Sequence, residues 1–199
     1  VFEDILTAFQ QTTWYEMLAV IFSIAYTVLA AYENNWCWPA AIISVSIYIC
    51  ICFSAKLYSE TGLQLFYLIM AFYGWWLWNT NKTTNQKLII SQIKLKAHII
   101  LILSGLLFTC VFYFIMKTYT DAALPLADAF VTAFSLTTTY MMTKKYIENW
   151  MWWIVIDGLS IYIFISRDLP LTALLYFIYV IIVVVAYFKW RGELQYQKA

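Results

Sequence analysis

The chain has 199 residues, 64% hydrophobic and 12% charged, against roughly 45–50% and about 25% in an ordinary soluble domain, which excludes a water-soluble globule. With 12 Lys and Arg against 11 Asp and Glu the formal net charge is +1, so there is no basic footprint for nucleic acid. The charges act instead through the side of a bilayer on which they lie.

Seven apolar runs predict helices over 14–33, 36–54, 61–79, 97–116, 122–142, 150–166 and 170–188, each near the roughly 20 residues that a bilayer crossing needs. They lack the alternating segments of about ten residues that an outer-membrane barrel would show. Ahead of the first run, residues 1–13 carry acids and glutamines where a cleavable leader needs a basic start and an apolar core, so no leader is expected.

In chain order, the first run has Glu16 near its start, and the second follows it with almost no loop around Trp36 and Pro39. The third carries Gln64, Tyr67, Leu68, Ala71, Trp75 and Trp78 at helical spacing, an amide, a phenol and two indoles on one broad stripe. Such a stripe can hold a flat or cationic ring by stacking and cation–π attraction, with Gln64 donating to and accepting from hydroxyls. An interfacial belt accounts equally for Trp75, Trp76 and Trp78, and structural bonding for Gln64. The fifth run has Asp128 near its start and Thr137-Thr138-Thr139-Tyr140 at mid-membrane, where hydroxyls satisfy a carbonyl one turn back or bond a ligand.

The sixth run holds Asp157, seven residues past Trp150 and about 10 Å deep at 1.5 Å per residue. An ionisable group at that depth is a functional candidate by default. Trp150 and Trp153 share its helical face, so a substrate contact and a structural carboxylate bonded to a neighbouring helix both fit. The seventh run adds Tyr176 and Tyr179 to the hydroxyls of Tyr162.

The N-terminus and the loops after the second, fourth and sixth runs hold Lys56, Lys117 and Arg167. The opposite side holds Lys82, Lys87, Lys94, Lys96, Lys144, Lys145, Lys189, Arg191 and Lys198. Basic residues favour the cytoplasmic face, so the N-terminus is expected outside and the C-terminus inside.

A shift of 114 residues superimposes 14–53 on 128–167 with 12 identities, among them Asn35-Trp36 with Asn149-Trp150, Trp38 with Trp152, and Ser46-Ile47-Tyr48-Ile49 with Ser160-Ile161-Tyr162-Ile163. In that register Asp157 faces Ile43. A shift of 109 pairs Leu65-Phe66-Tyr67 with Leu174-Leu175-Tyr176. The expected fold class is an all-α membrane protein of seven transmembrane helices in a 3+1+3 arrangement. Residues 14–79 form a first three-helix bundle, 97–116 a linking helix and 122–188 a second bundle. The extra crossing makes the two repeats parallel, related by an axis along the membrane normal, with a substrate site near the midplane between them.

Catalysis finds no support. There is no G-x-x-x-x-G-K-[ST], H-E-x-x-H or G-x-S-x-G, and no Lys in the seventh run to anchor a retinal. Cys37, Cys50, Cys52 and Cys110 have no C-x-x-C spacing and only His98 to help them, so neither metal nor cofactor is expected.

Gln64 through Tyr73-Gly74-Trp75-Trp76-Leu77-Trp78, Glu148-Asn149-Trp150 leading to Asp157, and Leu175-Tyr176 together resemble the PnuC family of bacterial vitamin transporters over roughly residues 14–191. The resemblance implies the 3+1+3 fold shared with the SWEET sugar transporters. It also implies uptake of nicotinamide riboside by facilitated diffusion, drawn inward by phosphorylation in the cell, and places Gln64, Trp75 and Trp78 at the binding site. Combined with the residue reading, the expected substrate contacts are Gln64, Tyr67, Trp75, Trp78, Thr138, Trp153, Asp157 and Tyr176. The expected partners are a small vitamin and the lipid bilayer of a bacterial inner membrane, with a homo-oligomer left open. Thiamine, also a cationic aromatic, suits the same residues, and a heptahelical ligand sensor is the rival from another class.

Overall fold

The computed structural model describes residues 12–54, 56, 58–83, 88–120 and 123–198. Residues 1–11, on which the leader expectation largely rests, and Lys87 lie outside the described residues.

Among the described residues there are seven helices: α1 (Trp14–Ala31), α2 (Cys37–Ser54), α3 (Tyr58–Thr83), α4 (Leu95–Tyr119), α5 (Pro125–Thr143), α6 (Glu148–Ser166) and α7 (Pro170–Lys198). Glu16 sits in the first turn of α1 and its carboxylate accepts the Thr13 N–H at 2.8 Å, satisfying one of the free donors of a helix start. Proline opens α5, where its missing N–H costs nothing. Helices α3 and α7 run past the predicted 61–79 and 170–188 because their last turns are polar. An apolar run measures the hydrocarbon it crosses rather than the length of its helix.

Four helices, α1, α2, α4 and α7, are long and apolar enough to cross a membrane by length and composition alone. Helices α3, α5 and α6 fall short because they carry the interior's polar groups, Gln64, Thr132, Ser135 and Asp157 among them. Helix α1 packs on α2 and α2 on α3; α5 packs on α6 and α6 on α7. Contacts of α3 with α5 and of α7 with α1 close these two rows into a ring, and α4 rests against α5 outside it.

Features recur at a constant interval around this ring. Helix α1 ends in a Schellman turn with Glu33 left-handed (φ 51°), the Glu33 N–H bonding Ala30 O and the Asn34 N–H bonding Leu29 O. Helix α5 ends the same way, with Lys145 at φ 55° bonding Met142 O and Tyr146 bonding Met141 O. Lys56 (φ 59°) and Asp168 (φ 55°) take the corresponding position after α2 and α6. Each non-glycine residue there costs roughly 1–2 kcal/mol. The interval is 112 residues in both pairs.

The same interval relates two indole pairs. Trp38 meets Trp78 edge-on at 5.3 Å and 88°, and Trp150 meets Trp190 at 5.2 Å and 89°. The Trp78 indole N–H donates to Thr143 O at 3.1 Å, and that of Trp190 to Ala31 O at 3.2 Å. The shifts of 114 and 109 are therefore corrected: Trp38 corresponds to Trp150, not Trp152, and Asp157 to Val45, not Ile43. In apolar helices Ile, Ser and Tyr coincide easily, and a two-residue slip turns a helix by about 200°, so the extra identities paired opposite faces.

The main apolar cluster lies at one end of the ring. Trp38, Trp78, Trp150 and Trp190 are buried there with Cys37, Ile90 and Met142. The stretch ahead of α4 is tied to this end. Ser91 and Tyr146 form a parallel β-bridge, the Ile147 N–H bonds Ser91 O at 3.0 Å, and Glu148 accepts the Ile93 N–H.

Candidate functional site

Above the tryptophan cluster the ring encloses a cavity of about 300 Å³. Met142, Trp150 and Val183 reach it from the clustered end, forming its floor. Helical periodicity builds the walls. Ser23, Tyr26 and Thr27 share one face of α1; Gln64 and Tyr67 one face of α3; Trp150, Trp153 and Asp157 one face of α6; and Tyr176, Tyr179 and Val183 one face of α7.

The two rows meet through matched hydroxyl pairs at the level of the cavity. The hydroxyls of Ser23 on α1 and Tyr179 on α7 share a hydrogen bond, and at the other boundary Ser135 on α5 and Tyr67 on α3 line the cavity together. These pairs again fall at the 112-residue interval. Two hydroxyls turn partly away from the space: Ser44 donates to Ala19 O at 2.8 Å and Thr27 to Ser23 O at 3.0 Å.

Asp157 breaks the symmetry, since Val45 holds the corresponding place. Its side chain is buried, 4% exposed, and is the one carboxylate on the described wall, which has no Lys or Arg. Tyr67, Tyr176 and Tyr179 all lie within reach of its charge. The chemistry on offer is a single acid among phenols, an amide and the indoles of Trp150 and Trp153, which suits a flat ring bearing positive charge and hydroxyls.

Of the residues expected from sequence, Gln64, Tyr67, Trp153, Asp157 and Tyr176 lie on the cavity wall; Trp75, Trp78 and Thr138 do not. Trp75 is 38% exposed beside Trp76 on the outer surface. The inward stripe of α3 runs Gln64, Tyr67, Ala71, Gly74, Trp78, and Trp75 stands about 60° from its centre, at one edge. Trp78 is on that stripe but about 16 Å beyond Tyr67, below the floor and inside the tryptophan cluster. Thr138 is fully buried away from the wall. Its neighbours Thr137 and Thr139 bond back to Phe134 O and Ser135 O, the local role open to such hydroxyls.

Sequence reasoning missed Ser23, Tyr26, Tyr48 and Ser135. Ser23, Tyr26 and Thr27 form a short polar stripe inside an apolar run, and that was the available signal. Asp128 and Glu16, expected at a mouth or as helix-start charges, occupy first helical turns; Asp128 pairs with Arg167 at the end of α6.

The profile of a protein family described as "Nicotinamide mononucleotide transporter" matches residues 13–192. The chain is similar to the nicotinamide riboside transporter PnuC of Escherichia coli, 26% identical over 191 residues that cover 83% of this chain and 80% of that protein. PnuC of Neisseria mucosa is 25% identical over 201 residues, 94% of this chain and 76% of its own. The riboflavin/roseoflavin transporter RibM of Streptomyces davaonensis is 21% identical over 173 residues, 85% and 81% of the two chains. A crystal structure of the vitamin B3 transporter PnuC shares the fold, with a TM-score of 0.74 at 23% identity over 96% of this chain and 86% of that one. With the profile spanning nearly its whole length, this chain is a multi-pass membrane protein that belongs to the PnuC family of vitamin transporters.

Proposed function

We propose that the chain carries nicotinamide riboside across a bacterial inner membrane by facilitated diffusion. All seven helices cross the bilayer as a 3+1+3 array. The rows α1–α3 and α5–α7 are parallel repeats about an axis along the membrane normal, and α4 supplies the crossing that makes them parallel. The 112-residue interval supports this reading, as does a ring of contacts that stays the same when α1, α2, α3 are exchanged with α5, α6, α7.

The observation that carries the substrate is the carboxylate of Asp157, the one acid on the described wall of a cavity rich in aromatic side chains. Nicotinamide riboside offers a pyridinium for the carboxylate and indoles, a carboxamide for Gln64, and ribose hydroxyls for Tyr67 and Tyr176. A volume of about 300 Å³ lies at the small end of the roughly 300–1,000 Å³ of ligand pockets, which favours one ring and one ribose over a three-ring flavin.

Lys94, Lys96, Lys144, Lys145, Lys189 and Arg191 all belong to the tryptophan-cluster end, which supports a cytoplasmic place for that end and an N-terminus outside. The test is counterflow of labelled nicotinamide riboside into proteoliposomes without an ion gradient. Uptake that unlabelled nicotinamide riboside suppresses, and thiamine or riboflavin suppresses less, supports the reading. Saturable binding without lumenal label would make the protein a sensor instead.

A further inference from the structure

Glu33 and Lys145 follow α1 and α5, two helices on opposite sides of the ring that do not pack on each other. Both take the left-handed position that ends a helix, where glycine is the undemanding choice. Their side chains nevertheless meet. Lys145 Nζ lies 2.6 Å from Glu33 Oε2, with the side chains only 5% and 20% exposed. The ammonium also sits 4.4 Å above the Trp78 ring. This ion pair spans the tryptophan-filled end of the ring and joins its two rows.

The opposite end carries the same arrangement with the charges exchanged. Lys56 follows α2 and Asp168 follows α6, both left-handed and again 112 residues apart. Both are exposed, and among the described residues no ion pair joins them. One end of the ring is thus latched and the other is not.

We propose that Glu33 and Lys145 form the latch of the cytoplasmic gate, and that Lys56 and Asp168 form its counterpart at the outer mouth, closing when the inner latch opens. Substrate release inward requires the Glu33–Lys145 pair to part, since the pair bridges the rows that must separate. Removing either partner takes away the contact that joins the two rows and favours the open gate. The inner and outer assignment rests on the orientation proposed above; the latching itself does not depend on which vitamin is carried.

Cys37, the first residue of α2, is buried at the latched end with 0% exposure and serves as the reporter. In a chain with Cys50, Cys52 and Cys110 replaced by Ser, reconstituted into liposomes, a membrane-impermeant maleimide should label Cys37 slowly. Glu33→Gln or Lys145→Met should speed labelling at least about tenfold, and the charge exchange Glu33→Lys with Lys145→Glu should restore protection. Adding Lys56→Glu to Glu33→Gln should slow labelling again, because two acids then face each other at the outer mouth.

Single variants labelled at the parent rate would overturn the inner latch. So would an exchanged pair labelled as fast as the singles, which is also what general unfolding would give. Labelling of Glu33→Gln that Lys56→Glu leaves unchanged would remove the outer latch. No substrate enters the measurement, so failed uptake of nicotinamide riboside would refute the proposed cargo and leave this result standing.

Discussion

Trp78 and Trp190 perform one task twice: each sends its indole N–H across a row boundary to the last carbonyl of a helix, Thr143 and Ala31 respectively. Trp78 thereby ties α3 to α5, and Trp190 ties α7 to α1. Trp78→Phe and Trp190→Phe should each lower stability by about 1 kcal/mol, the net worth of one such bond. Melting of the purified protein in detergent measures it, and the two variants should agree closely. A large disparity would show that the two boundaries are not equivalent.

Gly74 allows α2 and α3 to approach. A Cβ there would lie 2.3 Å from the Trp38 ring, whereas one at Gly158 meets nothing within 4 Å. Gly74→Ala should destabilise by about 1–3 kcal/mol through overpacking, and Gly158→Ala should be neutral or slightly stabilising. Thermal unfolding of the two variants side by side checks the contrast; equal melting would mean that Trp38 can move aside.

Within the cavity, Asp157→Asn should weaken nicotinamide riboside binding by at least about tenfold, equivalent to about 1.4 kcal/mol. Asp128→Asn, which touches Arg167 away from the wall, should change affinity little. Calorimetric titration of both variants is the check, and equal losses would make the two acids merely structural.

Gln64→Ala should likewise weaken binding about tenfold. Trp75→Ala should leave affinity within about twofold because its ring faces outward. An affinity lost with Trp75 would mean that α3 rotates when substrate enters.

The hydroxyl pair of Ser23 and Tyr179 bridges α1 and α7 beside the cavity. A double-mutant cycle with Ser23→Ala and Tyr179→Phe should give a coupling of about 1 kcal/mol in stability. Additive effects would show that the two hydroxyls act independently.

Much of this architecture is written in the hydropathy of the chain, because burying backbone in hydrocarbon demands helices and apolar runs mark them. Asp157, Trp150 and Trp153 were legible as one face because an acid deep in an apolar run is rare and its helical neighbours follow by counting. The register of the repeat was not. Identities favoured 114, whereas Glu33 matches Lys145 and Lys56 matches Asp168 with opposite charge, a correspondence that identity scoring penalises. Trp75 and Trp78 show a different limit: indole-rich sequence cannot tell a wall from a plug or a belt, since rotation and depth decide between them. The serines and tyrosines of α1 and α2 escaped notice because small hydroxyls inside apolar helices are common and cheap.

Ser91, Ile93 and α4 are all attached to the α5–α6 side of the molecule, through the bridge to Tyr146, the carboxylate of Glu148 and the packing on α5. The polypeptide therefore joins the second row by Ser91, well ahead of the hydrophobic stretch that links the rows on paper. Were the rows to part as proposed, the second would carry a whole helix more than its twin, so an opening symmetrical in its contacts would be lopsided in its mass, with the lighter α1–α3 segment swinging on a heavier keel.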